Sequence, residues 1–513
     1  MASVSRVLIV GGGAAGWLTA AYLAKALATA SPGGVAISLV ESADIGILGV
    51  GEGAFPSIRG TLSAIGVSEA RYLKETGATF KQGIKFAHWV RPPDQSGADH
   101  YFHPFSLPSQ RPGGPELLPY WLLGAAGPGA AFAEAATMQK RVADACRAPK
   151  RASDKDYLAP LNYAYHFDAI QLARFLSEEA RALGVIHHTA TVDRVDLGED
   201  GAIAGVVTQE VGTLTADLYI DCTGFRAALI GHALGSPYHR VSDTLFVDRA
   251  LAMQVPYPTP DTPIASYTIS TAHEAGWTWD IGLKTRRGTG YVYSSRHTDD
   301  ARAEEILRGY VGPGAKDLTP RLLKFDVGYR ETQWIKNCVA VGLSGGFLEP
   351  LESSGIGLVE TAAYLIAHLF PFNGEMAPVA RTFNAFMSAR YARIVDFLKL
   401  HYCLSQRRDS PFWIDNADPA SIPDSLKDKL TMWRARPPHR LDFITDLEMY
   451  LPASWQFVLY GMEFQTDLTA SQAAYPQMDE ARREFATLKD VAGRALADLP
   501  DHRALLEAIC ARA

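Results

Sequence analysis

Cysteine is scarce in this chain: Cys146, Cys222, Cys338, Cys403 and Cys510 stand far apart and are odd in number. No CxxC pair and no Cys/His spacing of the metal-ligating kind occurs. This argues against a disulfide framework and against a zinc site, and points to the reducing cytoplasm. No window approaches the roughly 18 apolar residues that cross a bilayer. Arg6 followed by Val7 to Ala24 has the outline of a signal peptide, yet Gly11, Gly12 and Gly13 interrupt the stretch where leucine-type helix formers belong. Positive charge is not in excess either. The 49 Lys and Arg against 56 Asp and Glu leave a formal net charge of −7, so neither nucleic acid nor an anionic membrane is an expected partner. Internal repeats and low-complexity tracts are missing as well. What is present is an ordinary globular composition, 47% hydrophobic and 20% charged over 513 residues, long enough to bury a sizeable core.

Hydrophobic periodicity organises the chain. Val7 to Val10 reads as a buried strand, Ala14 to Ala26 as a helix, and Ala36 to Val40 as a second strand closing at Glu41. Residues 6–41 are therefore one β-α-β unit. Tyr165 to Leu183 reads as a long helix, and His187 to Leu197 with Ala202 to Glu210 as a hairpin around Gly198 to Gly201. Leu218 to Asp221 is a short strand. Ala250 to Val255, Ser266 to Thr271, Trp277 to Leu283 and Gly290 to Ser294 read as an antiparallel sheet. Val339 to Gly342 is again a strand, leading to a helix near Gly355 to Leu369, and most of the chain beyond Val379 is helical with a break at Pro437-Pro438. The expected fold class is α/β, a Rossmann-like fold with an antiparallel sheet and a helical C-terminal part. The nucleotide-binding pieces (1–60, 160–235 and 335–370) alternate with the rest (61–159, 236–334 and 371–513), which predicts a single interleaved body.

Gly11-x-Gly13-x-x-Gly16 lies between strand and helix, the context in which this pattern binds a dinucleotide. The first glycine permits the tight turn, the second lets backbone approach a pyrophosphate, and the third lets helix pack on strand. Ala14 and Ala15 open the helix whose N-terminus meets the phosphate charge. Glu41 stands where a ribose diol is held. The pattern alone fits FAD or NAD. FAD is favoured because only one such fingerprint occurs, because Asp221-Cys222-Thr223-Gly224 ends a later strand, and because Gly342 precedes a second glycine-rich turn, Ser344-Gly345-Gly346.

Four further motifs, with the glycine-rich start and Gly49-Val50-Gly51-Glu52, carry a family resemblance. They are Trp277-Thr278-Trp279-Asp280-Ile281-Gly282, Phe80-Lys81-Gln82-Gly83, Pro350-Leu351-Glu352-Ser353-Ser354-Gly355-Ile356, and His103-Pro104-Phe105. The chain resembles the flavin-dependent halogenases, the tryptophan halogenase group in particular, over most of its length. Two departures stand out: Gly282 replaces a proline, and Leu343 occupies a position where flavoproteins often carry an acid.

The resemblance implies roles. Lys81 and Glu352 match the catalytic lysine and glutamate. Ser354 and Gly355 match the residues whose amides hold the halide, and His103 and Phe105 flank the aromatic substrate. Trp455 is a candidate for the other side of an aromatic sandwich. Trp277 and Trp279, two apart on a strand, share one face and would shield the flavin from substrate. Gly51, Glu52, Asp221, Gly342, Gly355 and Ile356 join Gly11, Gly13, Ala14, Ala15, Gly16 and Glu41 as expected cofactor contacts. The implied reaction is FADH2- and O2-dependent chlorination or bromination of an electron-rich ring such as indole, a simple derivative or tryptophan. A separate flavin reductase supplies the reduced FAD, and hypohalous acid is delivered to Lys81. A homodimer is compatible with the resemblance. The rival readings are a flavin-dependent aromatic hydroxylase, which would oxidise NADH unaided, and an inactive flavin-binding protein.

Overall fold

The computed structural model describes residues 3–46, 49 and 51–512, with no side-chain description at Thr445. The chain forms two compact units, each assembled from three stretches: 1–78, 167–242 and 325–392 in the first, and 79–166, 243–324 and 393–513 in the second.

The first unit is built on a six-stranded sheet. Its order is Trp334–Ile335, Cys338–Ala340, Leu218–Asp221, Arg6–Val10, Ala36–Glu41 and Ile186–Thr189. All neighbours are parallel except the first pair. Strands buried on both faces read as apolar runs, and Val7, Leu8, Ile9 and Val10 are all buried. The helices Ala14–Ala26, Ala169–Ala182 and Ser354–His368 belong to this unit, and the first packs against the other two.

The expected helix from Tyr165 to Leu183 divides in two. Ala164–Asp168 is a strand, and the helix begins at Ala169. Tyr165, His166 and Phe167 favour strand, and Asp168 caps the helix by accepting from the amides of Ile170 (2.9 Å) and Gln171 (3.2 Å). The expected hairpin also changes. Ile186–Thr189 leaves it to pair with Ala36–Glu41, and only Val192–Leu197 and Ile203–Thr208 form the hairpin.

The second unit carries a seven-stranded sheet ordered Arg321–Lys324, Arg249–Pro256, Arg286–Tyr293, Gly276–Gly282, Thr268–His273, Gly83–Ala87 and His100–Pro104. It is antiparallel apart from the Thr268–His273 and Gly83–Ala87 pair. The helices Pro411–Ala417, Asp424–Trp433, Pro452–Gly461, Met478–Asp498 and His502–Arg512 complete it. No helix among the described residues is long and apolar enough to cross a membrane.

Candidate active site

In the first unit, the glycine-rich turn is shaped by what each glycine touches. A Cβ on Gly11 (φ +111°) would collide with the Cys222 carbonyl, and one on Gly16 with the Gly11 carbonyl. Packing therefore demands both glycines. At Gly13 the outcome is different: a Cβ there would meet nothing within 4 Å. Protein packing does not require this glycine, so its value lies in leaving a cradle open for a ligand. Gly13 is also the N-cap of the helix Ala14–Ala26, which has no side-chain cap and no acid in its first turn. Exposed amides and a helix dipole in an open cradle fit the pyrophosphate of a dinucleotide.

Glu41 ends its strand with its carboxylate over Gly12, whose Cβ would strike it. His187 Nε2 lies 3.0 Å from Glu41 Oε1, and the Trp17 and His187 rings meet edge-on at 5.0 Å. Burial raises the Glu41 carboxyl, and His187 and the Trp17 indole pull it back. Trp17 closes the glycine-rich start that carries the family resemblance, whereas His187 had no signal in the sequence beyond the strand that carries it.

Asp221 is fully buried and faces inward. Its carboxylate accepts from the amides of Leu229 (2.9 Å) and Ile230 (2.8 Å), and from Thr223 N (2.9 Å) and Oγ1 (2.7 Å). The acid thus shapes the loop that packs on Gly11. Gly342 (φ +73°) presses against Ala15. Gly51 and Glu52 lie in the strand Gly51–Gly53, whereas Val50 of the same motif falls outside the described residues. Burial and the Asp168 carboxylate push the Glu52 carboxyl up to about 7.

The loop before Ser354–His368 carries the other predicted acid. Glu352 is 2% exposed and Glu349 1%, so two carboxyl groups are buried three residues apart. Glu352 (φ 61°) and Ser353 (φ 59°) both adopt the left-handed conformation, which L-residues avoid. Strain of this kind clusters at functional sites. It lies at the start of a fifteen-residue helix whose N-cap, Ser353, makes no side-chain capping bond and gives its own amide to the Pro350 carbonyl (3.1 Å). Ser354 and Ile356 are buried, while a Cβ on Gly355 would meet open space. Two turns on, Glu360 accepts from Ser57 Oγ (2.9 Å) and Thr61, and burial pushes its carboxyl up to about 7.

In the second unit, Lys81 ends the strand Thr79–Lys81 and is 0% exposed. Its Nζ stands 5.3 Å from the Phe105 ring centroid. His103 is buried against Phe105 (6.4 Å), Phe397 (6.1 Å) and Phe457 (6.4 Å). Trp455 contacts Phe397 at 5.0 Å, Trp433 at 5.7 Å and Phe443 at 5.5 Å. Lys81, Phe105 and His103 therefore form one cluster, joined to Trp455 through Phe397. Phe397, which also stacks on Tyr450 at 4.0 Å, went unrecognised because one phenylalanine in a long helix looks like any core residue.

Trp277 and Trp279 share a face of Gly276–Gly282, both buried. Trp279 lies over Gly290, where a Cβ would collide with the indole, and Trp277 meets Trp89 at 6.2 Å.

Comparison with known proteins identifies the family. The tryptophan halogenase family model matches residues 6–477. The tryptophan 6-halogenase SttH of Streptomyces toxytricini is 35% identical over 96% of both chains. The crystal structure of a tryptophan halogenase from Shewanella frigidimarina superposes with a TM-score of 0.94 at 39% identity, covering 99% of this chain and 98% of that one. BrvH, a flavin-dependent halogenase from Brevundimonas, gives 0.88 at 33% identity over 99% of both. Matched along nearly its whole length, the chain belongs to the tryptophan halogenase family, flavin-dependent enzymes that draw reduced flavin from a separate reductase.

Proposed function

We propose that this enzyme chlorinates or brominates an electron-rich indole-type ring, with hypohalous acid delivered to Lys81. The observation that carries the reading is the complete burial of Lys81 beside an aromatic ring. Desolvating a lysine is costly, and such groups cluster at functional sites; Lys399, equally buried, differs in being tied to the Thr244 carbonyl and to Asn416 (3.0 Å each). Gly13, Ala14, Ala15 and Glu41 would hold FAD, which when reduced supplies with O2 the oxidising equivalent. The amides at Ser354 and Gly355, at a helix start without a side-chain cap, would bind the halide, because the N-terminus of a long helix suits a small anion. Lys81 hydrogen-bonds the hypohalous acid and directs its halogen to the ring. Glu352 stabilises the cationic ring and takes its proton.

The side chains around Trp455 bear on the substrate. Lys429, 5.6 Å from the Trp455 ring, pairs with Asp396 (2.8 Å), and Arg436 pairs with Asp442, which also accepts from the indole of Trp433 beside Trp455. These charges are satisfied within the protein, which favours a neutral indole over the zwitterion of free tryptophan, the substrate named for the relatives. Reaction in the cytoplasm suits the dependence on a reductase.

The test is mass spectrometry of products from indole, simple indoles and tryptophan, with FAD, a flavin reductase, NADH and each halide. Lys81→Ala should abolish halogenated product, a loss of at least about a hundredfold, while FAD binding and oxygen consumption persist. Wild-type product levels from Lys81→Ala would remove the role given to Lys81.

A further inference from the structure

His166 is a buried histidine that none of the roles above uses. It lies on Ala164–Asp168, antiparallel to Thr79–Lys81 with Thr79 opposite His166 and Lys81 opposite Ala164. Residues 79, 81, 164 and 166 therefore share one face, and Lys81 and His166 are diagonal neighbours on it. Ala164, directly across from Lys81, is a single methyl and leaves that diagonal unobstructed.

His166 and Lys81 are both 0% exposed. His166 Nε2 is 2.9 Å from Thr268 Oγ1, whereas its Nδ1 is buried with no hydrogen-bond partner among the described residues. A buried ring nitrogen without a partner costs stability, so its retention asks for a use.

Two titratable groups act on the ring through their charge. One is Lys81, and the other is His502 from the helix His502–Arg512. His502 has its own duties: its Nε2 accepts the Phe80 amide (3.1 Å), and its Nδ1–H donates to the Ile264 carbonyl (3.0 Å). This fixes it as a neutral tautomer, and burial lowers it to about 4. Burial first, then the charge of Lys81, then His502 hold His166 well below the usual histidine range.

We propose that His166 is a positioning residue for Lys81: with Nε2–H directed at Thr268, its Nδ1 lone pair, which bonds no group in the structure described, accepts one N–H of the lysine when that side chain turns along the shared face, and so aims the lysine nitrogen. The inference rests on the catalytic role proposed for Lys81, yet it can fail separately. Phe at 166 keeps a flat ring and removes the acceptor, whereas Gln keeps an acceptor oxygen.

His166→Phe should lower kcat for halogenation by about tenfold or more with KM for indole unchanged, as expected when a reacting group is misaimed. His166→Gln should recover most of that loss. A second readout needs no turnover. In protein labelled with 15N-histidine, the His166 signals are identified by their loss in His166→Gln, and Lys81→Met should then shift the Nδ1 resonance. Wild-type kcat in His166→Phe, or an Nδ1 resonance unmoved by Lys81→Met, overturns the proposal. If His166→Phe does not fold, the Gln variant and the spectrum decide. If Lys81→Ala proves fully active, the catalytic reading of Lys81 falls, and the spectrum alone still reports whether the two side chains are bonded.

Discussion

The first unit contains two helix starts that differ in how they expose their amides. At Ala14–Ala26 the turn is made by glycines, and its one glycine not demanded by packing, Gly13, opens onto empty space. At Ser354–His368 the turn is made by Glu352 and Ser353, both forced into a conformation that glycine would adopt without strain. Glycine suffices where backbone alone must meet a ligand. A strained side-chain residue is kept where the turn must also deliver a chemical group. In the function proposed above that group is the Glu352 carboxyl, buried at the turn.

Substitutions can break or sharpen this contrast. The largest effect belongs to the side chain at the strained turn. Glu352→Gln should cut the halogenation rate by about a hundredfold or more while FAD affinity, followed by flavin fluorescence, stays unchanged. Next comes the packed glycine. Gly16→Ala drives a Cβ into the Gly11 carbonyl and should destabilise the protein by at least ~1–3 kcal/mol, read by denaturant melts.

Glu360 gives an effect of pH. Its carboxyl is raised in the folded protein, so the folded state binds more protons than the unfolded one between pH 4.5 and about 7. Its contribution to stability is therefore complete at the acid end and fades as pH rises through about 7. Glu360→Gln should gain on wild type by about 1–2 kcal/mol between pH 5 and 8, read as a widening gap in Tm. A gap that narrows instead would refute the sign.

The open glycine comes next. Gly13→Ala should leave stability unchanged and weaken FAD binding by about tenfold. The smallest effect belongs to Ser353→Gly, which relieves left-handed strain and should raise stability by up to ~1 kcal/mol. A loss on that substitution would mean that contacts of the Ser353 side chain outweigh the strain.

Much of the architecture was legible because it is written in local periodicity and glycine placement. The β-α-β start, Leu218–Asp221 and the antiparallel strands all appear close to their expected positions. Errors fell where two signals met. Tyr165 to Phe167 continue into helix formers, and only the Asp168 cap separates strand from helix. At the site, motif residues could be named one by one, but not the partners that hold them. His187 beside Glu41, Phe397 between His103 and Trp455, and Glu360 tied to Ser57 are all non-local contacts. Nothing in a linear pattern announces which distant side chain will arrive. The inward-facing Asp221 makes the same point from the other side, since an acid at a strand end looks alike whether it meets a ligand or its own loop.

The bond between the Phe80 amide and the His502 ring spans 422 residues. During synthesis the strand bearing Lys81 emerges early and must wait until nearly the whole chain has left the ribosome before that tether can form. The ladder of that strand to Ala164–Asp168 needs only the first third of the chain, so the strand is placed early and its anchoring to the last helix comes late.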